Sequence, residues 1–162
     1  MKRWAALPLL LLAMLPLCAE PEYPSQGPDI YNPQADGFAL IAAALEQAKA
    51  AHKHVLLDFG ANWCPWCHKL HHTFTTDQAV SQEIFYNYVV VMIDVNMRHG
   101  IKRNSEVNEN YGNPIHEGLP VLVVLDDGGV QLITQETGAL ESDDHHDPAK
   151  VLAFLKKWAP VR

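Results

Sequence analysis

The sequence predicts an α/β domain: a mixed parallel and antiparallel sheet of about four strands, with helices on both faces. Short, nearly continuous apolar runs such as Val55-Leu56-Leu57-Asp58-Phe59 suit strands buried on both sides. Helical patterns alternate with the first two such runs, and a glycine-containing turn joins the last two as a hairpin. One sheet then carries both kinds of pairing.

The chain opens outside that fold. Lys2 and Arg3 precede an apolar run from Trp4 to Leu17, interrupted by Pro8. This is the layout of a signal peptide over residues 1–19, short for a membrane span. Ala19 supplies a small residue for cleavage. Cys18 raises lipidation as an alternative, which Leu17 disfavours by being bulky where a lipoprotein signal carries a small residue. A buried N-terminal helix fits less well, because nothing polar divides its faces. Cleavage removes Lys2 and Arg3 and no acid, so the mature chain is two charges more negative than the formal −7. Such an acidic chain is a poor nucleic-acid binder. No later stretch is long and apolar enough to span a membrane.

Residues 20–35 are rich in proline and polar side chains and read as an extended lead-in to a domain over 36–162. Asp36 can cap a helix to about Ala51, with Phe38, Ile41, Leu45 and Ala48 on one face. A strand over Val55 to Phe59 follows. The next helix opens at Cys64, continues through His71 and restarts near Asp77. Tyr88 to Val95 is a second buried strand. In the long connection from Asn96 to Gly118, Asn104 or Ser105 can cap a short helix that ends before Gly112. Pro120 to Leu125 is a third strand, Asp127-Gly128-Gly129 a turn and Val130 to Thr134 a fourth strand. Glu141 to Asp147 reads as a solvated loop. Asp147 caps the last helix with Pro148 at its first position, and Val151, Phe154 or Leu155, and Trp158 form its apolar face.

The chemistry concentrates at Asn62-Trp63-Cys64-Pro65-Trp66-Cys67. Unpaired N–H groups and partial positive charge at a helix start favour a thiolate, the reactive form of cysteine. A second thiol one turn on can attack a mixed disulfide formed by the first. The chain has three cysteines, and cleavage would remove Cys18. In an exported protein a lone close pair cannot staple distant segments, so it bridges three residues or does chemistry. Cys64-Pro65-Trp66-Cys67-His68 also satisfies the haem-attachment string, but a strand carrying Asp58 ahead and a Gly-Leu-Pro strand behind build no haem pocket. His68, His71 and His72 follow at once. Cys64, His68 and His72 stand at one-turn spacings that suit a soft metal, so a metal-binding or metal-delivery protein is the alternative from another class. Solvated histidines on an exposed helix face are the commoner outcome. Asp58 interrupts an apolar strand, where an unpaired ionised carboxylate is costly. It either reaches solvent or a lysine at the strand end, or it serves the chemistry.

From Val55 to Trp158 the chain resembles the thioredoxin superfamily. The likeness rests on Asp58 six residues before the first cysteine, the Trp63 to Cys67 core, Gly118-Leu119-Pro120 before an apolar strand, a glycine-rich turn, and Gly138-Ala139-Leu140 before the last helix. The strand-Asp-Gly-Ala-x-Trp-Cys style is most similar to small exported thioredoxin-like or disulfide-isomerase-like proteins of bacteria. Two departures stand out: Pro65-Trp66 replaces thioredoxin's Gly-Pro, and the segment around Met97 to Arg103 is longer.

The resemblance implies a thioredoxin-like fold and a periplasmic thiol–disulfide oxidoreductase that acts on cysteine-containing exported proteins. It implies Cys64 as nucleophile, Cys67 as resolving thiol and a Cys64–Cys67 redox disulfide. Asp58 becomes a buried acid that relays the Cys67 proton, its pKa raised by burial. Leu119–Pro120 becomes a cis bond facing the cysteines, with Leu119 backbone open to an extended substrate. Trp63, Pro65 and Trp66 flank the thiols as substrate contacts, Trp63 partly packed and Trp66 exposed. No cofactor or metal is required. Electrons pass to or from another dithiol protein, with the membrane as one place for it.

Overall fold

The computed structural model describes residues 26–97 and 101–161. The expected signal peptide, its cleavage point, Cys18 and the first residues of the lead-in lie outside the described residues.

Strand β1 (His54–Gly60) is central in a sheet ordered β2-β1-β3-β4, with β2 over Tyr88–Asp94, β3 over Val121–Leu125 and β4 over Gln131–Glu136. It runs parallel to β2 and antiparallel to β3, and β3 and β4 form an antiparallel hairpin. Successive side chains of a strand point to opposite faces. Val55, Leu57 and Phe59 therefore meet α1 (Gly37–Ala51), in one core with Ile41, Ala44, Ile93 and Val123. Leu56 faces the other core, where Leu70 and Phe74 of α2 (Pro65–Thr76), Val80 of α3 (Gln78–Asn87), and Val151 and Leu155 of α5 (Pro148–Lys157) gather. Asp58 shares that parity, so the sheet delivers it beneath α2. Among the described residues, no helix is long and apolar enough to cross a membrane.

The expected capping by Asp36 and Asp147 is present, each carboxylate accepting two N–H bonds of its helix. Several local expectations are corrected. Phe38 is exposed, and Gly37, Ile41, Ala44 and Ala48 form the buried face of α1. At its start the Gly37 N–H donates to Asn104 Oδ1 at 2.9 Å, and a Cβ on Gly37 would lie as close to that oxygen, while Leu45 still packs against the same core. Asn104 does precede α4 (Ser105–Asn110), but its side chain makes no cap. Its amide instead ties Gly37 to the Asp94 carbonyl, at 2.9 Å to each. The restart expected near Asp77 is present: Asp77 ends α2 and caps α3. Val130 lies before β4, because the Asp126 carboxylate takes the Gly128 and Val130 N–H groups into a side-chain-closed turn. At the C-terminal end of α5, Trp158 is only half-buried.

The segment Glu141 to Asp147 is not a solvated loop. Glu141–Ser142 (β5) and His145–His146 (β6) pair as a short hairpin, turned at Asp143 with φ 54°. Thr73 of α2 donates to the His146 carbonyl at 3.2 Å, and the His146 side chain is fully buried. Polar composition marked this segment as loop, but docking on α2 orders it.

Candidate active site

The site forms where the C-terminal end of β1 meets the first turn of α2. Cys64 is the N-cap of α2: its Sγ accepts the Cys67 N–H at 3.2 Å, and Pro65 follows at the position that has no N–H to satisfy. Both thiols are reduced. They differ in setting. Cys64 is 4% exposed and sits at the rim, its thiol donating to the Leu119 carbonyl at 3.7 Å. Cys67 is fully buried.

That difference sets their acidities apart. The Cys67 thiol and the N–H groups of Cys67 and Trp66 hydrogen-bond to Cys64 and hold it below the ordinary thiol range, against the opposing effect of burial. Cys67 is pushed far up by burial, by its hydrogen bond to Cys64 and by the nearby negative charges. One sulfur is primed to attack while the other keeps its proton.

Asp58 is fully buried beneath this pair. Neither solvent nor a lysine satisfies it. Its Oδ1 accepts the Tyr31 hydroxyl at 2.9 Å, and Oδ2 has no hydrogen-bond partner. Burial lifts its pKa from 3.8 to about 7, the Tyr31 bond pulling slightly the other way. A group with that pKa can both take and release a proton near neutrality.

Leu119–Pro120 is cis and lies against Cys64. Gly118 precedes it with φ 109°, a backbone region that side chains disfavour. Behind it, Thr137 Oγ1 donates to the Pro120 carbonyl at 2.6 Å and pins the loop to the end of β4.

Trp63 and Trp66 are both half-buried against Tyr31 and the two cysteines, and Pro65 is exposed. The exposure expected for Trp66 is therefore corrected. Its ring is crossed edge-on by His146 at 5.5 Å and capped by the Lys69 ammonium at 4.1 Å. Burial, with the charges of Lys69 and His145, drives His146 down to a pKa of about 4, so it packs as a neutral ring.

The histidines that follow the motif do not assemble with the thiols. His68 Nε2 bonds to the Asn62 carbonyl at 2.8 Å. Among the described residues, no group of three or more His, Cys, Asp or Glu side chains is placed to hold a metal ion.

Three contributors were missed from the sequence, Tyr31, Thr137 and His146, and Asn62 was read only as the first residue of the cysteine motif. Ile30-Tyr31 is an apolar pair inside a polar, proline-rich stretch, and that was its only signal. Asn62 Oδ1 accepts the N–H groups of Ile30 and Tyr31 at 3.0 and 2.9 Å, and its amide donates to the Tyr31 carbonyl at 2.9 Å. The lead-in is thereby fastened two residues before Cys64.

Gly60 leaves the space that this packing needs. A Cβ there would fall inside the Tyr31 hydroxyl and lie 2.8 Å from Cys67 Sγ. Gly60→Ala is expected to destabilise the fold by about 1–3 kcal/mol through overpacking. A denaturant midpoint equal to wild type would show that the cluster yields freely.

A family model described as a thioredoxin-like domain matches residues 41–153. The structure of a disulphide isomerase from Xylella fastidiosa Temecula1 is similar, with a TM-score of 0.67 at 32% identity over 79% of this chain and 95% of that one. The oxidised C-terminal domain of DsbD from Neisseria meningitidis shares the fold, with a TM-score of 0.53 at 23% identity over 76% of this chain and 97% of that one. Among curated relatives, the thiol:disulfide interchange protein DsbD of Actinobacillus pleuropneumoniae serotype 5b (strain L20) is 33% identical over 92 residues. Those residues are 56% of this chain and 15% of that relative.

Proposed function

The chain belongs to the thioredoxin-like family of thiol–disulfide oxidoreductases, and from that premise we propose that it exchanges disulfides with exported proteins through Cys64 and Cys67. The observation that carries this is the inequality of the two thiols: Cys64 at the rim and acidified, Cys67 buried and held protonated beside Asp58.

In the reducing direction the Cys64 thiolate attacks one sulfur of a substrate disulfide. The Cys64–substrate S–S bond forms, and the other substrate sulfur leaves as a thiolate. Cys67 then gives up its proton, with Asp58 as the ultimate acceptor, and attacks Cys64 Sγ. The Cys64–Cys67 bond forms, the mixed disulfide breaks and the second substrate thiolate departs. Two electrons have passed from the dithiol to the substrate, and the reverse sequence oxidises a substrate dithiol. A second dithiol protein resets the pair, and no cofactor enters.

The cis Leu119–Pro120 loop is the natural place for a substrate backbone. The Leu119 carbonyl that now receives the Cys64 thiol would accept an N–H from an extended segment instead. Trp63, Pro65 and Trp66 form the surround that such a segment would touch. Location in the periplasm is supported by the charged-then-apolar N-terminus, and a partner dithiol by the match to part of an interchange protein.

Cys67→Ser is the test. The first attack survives and resolution is lost, so mixed disulfides through Cys64 should accumulate and dissolve on adding a reductant. Captured clients should be exported proteins with cysteines. A folded Cys67→Ser protein that captures nothing, or capture that persists after Cys64 is also removed, would sink the proposal.

A further inference from the structure

Resolution needs a path for the Cys67 proton, and the geometry around Asp58 places a specific group on it. Tyr31 enters from the lead-in, is 1% exposed and lies in one cluster with Cys64 and Cys67. Its hydroxyl donates to Asp58 Oδ1 at 2.9 Å. The same hydroxyl and Cys67 Sγ converge on the space left open by Gly60. A hydroxyl can donate one hydrogen bond and accept another, whereas an ionised carboxylate only accepts. Tyr31 can therefore receive from the Cys67 thiol while giving to Asp58. Burial and the negative groups beside it hold Tyr31 neutral, so it would not serve as a stable tyrosinate. The Asn62 clamp on its backbone removes the freedom a lead-in segment would otherwise have.

We propose that the Tyr31 hydroxyl is a third chemical member of the site, relaying the Cys67 proton to Asp58 during resolution. This deepens the disulfide-exchange reading above and rests on it. The Cys67 S–H bond breaks as an O–H bond forms on Tyr31, and the original Tyr31 proton moves to Asp58 Oδ1. Tyr31 begins and ends neutral, Asp58 ends protonated, and Cys67 becomes the thiolate that attacks Cys64 Sγ. Its electron pair forms the intramolecular disulfide, and the substrate sulfur leaves with the pair of the mixed disulfide. In the oxidising direction the same hydroxyl returns a proton from Asp58 to Cys67. The proposal makes the segment before the domain part of the reacting centre.

Single-turnover kinetics with a small protein disulfide separate first attack from resolution, measured from about pH 5 to about pH 9. Tyr31→Phe keeps the ring and removes the hydroxyl. First attack by Cys64 should be unchanged, and resolution should slow by about tenfold to a hundredfold. Loss of the bond that lowers the Asp58 pKa should also move the midpoint of resolution upward from about 7. A merely structural role would slow both steps or neither, and the midpoint shift, which follows from the lost Tyr31–Asp58 bond alone, would accompany either outcome. In wild type, the Tyr31 ring carbon bearing the hydroxyl should show a carbon-13 shift that follows both the Asp58 titration and the redox state of Cys67, a readout independent of any variant's folding. A limiting rate of resolution unchanged in folded Tyr31→Phe, or a Tyr31 shift blind to the redox state of Cys67, overturns the relay alone. Absence of first attack in the wild type would instead overturn the disulfide-exchange reading.

Discussion

Cys64→Ser should abolish reduction of a small protein disulfide such as insulin, while leaving the fold about as stable as wild type. The two halves of this result have separate causes. Activity falls to background because Cys64 is the thiol at the rim, beside the cis Leu119–Pro120 loop, and the one whose hydrogen bonds favour ionisation. Cys67 cannot substitute, since it is fully buried and strongly held in its protonated form. Stability survives because Cys64 is also the N-cap of α2, accepting the Cys67 N–H through sulfur. Serine is among the favoured N-cap residues and offers a shorter, stronger acceptor there. Its effect on unfolding free energy should stay within about 1 kcal/mol. Insulin precipitation and a thermal melt on the same sample check both halves. Unchanged turnover would remove Cys64 as the nucleophile, and a large loss of stability would mean that its sulfur supports the fold beyond the cap.

Asp58→Asn should make the protein slower and, above neutral pH, more stable. An ordinary aspartate titrates near 3.8, whereas the buried Asp58 titrates near 7. Between those values the folded chain holds a proton that the unfolded chain releases. Wild-type stability therefore falls as pH rises through this window and levels off once Asp58 ionises in the fold. Asparagine carries no charge to bury and escapes the loss. The stability difference favouring Asp58→Asn should be small near about pH 4 and grow to a few kcal/mol, on the order expected for a shift of this size, by about pH 8. His146 slopes the other way over part of the range. Its pKa is about 4 in the fold against 6.5 ordinarily, so acid below that upper value destabilises wild type and variant alike and cancels in the difference. Catalytically, Asp58→Asn should slow resolution by about a hundredfold and leave the first attack by Cys64 intact. Chemical denaturation across pH and stopped-flow resolution rates test the pair. Identical pH dependence of both quantities in variant and wild type would leave Asp58 a structural residue.

Much of the architecture was legible because local patterns and tertiary demands agree. Continuous apolar runs became β1 and β3, which are buried on both sides, and Asp36 and Asp147 cap the helices that their spacing announced. The hairpin after Leu125 was placed, with β4 beginning one residue and ending two residues later than expected, the shift at its start arising where Asp126 closes a turn through its side chain. Where readings failed, composition misled. Glu141 to Asp147 is polar and charged, yet it folds as a hairpin because α2 offers Thr73 as an anchor and Trp66 as a surface for His146. Asn104 has the residue type of a cap, but its amide is spent joining α1 to the end of β2.

By itself the sequence determined the fold family and the close thiol pair, and it singled out Asp58 without deciding its burial, because each is written in contiguous residues at short spacing. Tertiary structure alone decided how unequal the two thiols are, since acidity depends on burial and on which N–H groups reach which sulfur. It also decided that Trp66 is packed rather than bare, and that the lead-in belongs to the site. Tyr31 lies 27 residues before Asp58. The pairing of Asn62 with the lead-in and the space at Gly60 bring its hydroxyl onto Asp58 and to the same space as Cys67 Sγ. Contacts of that range depend on side chains meeting after the sheet has formed, and no local pattern encodes them.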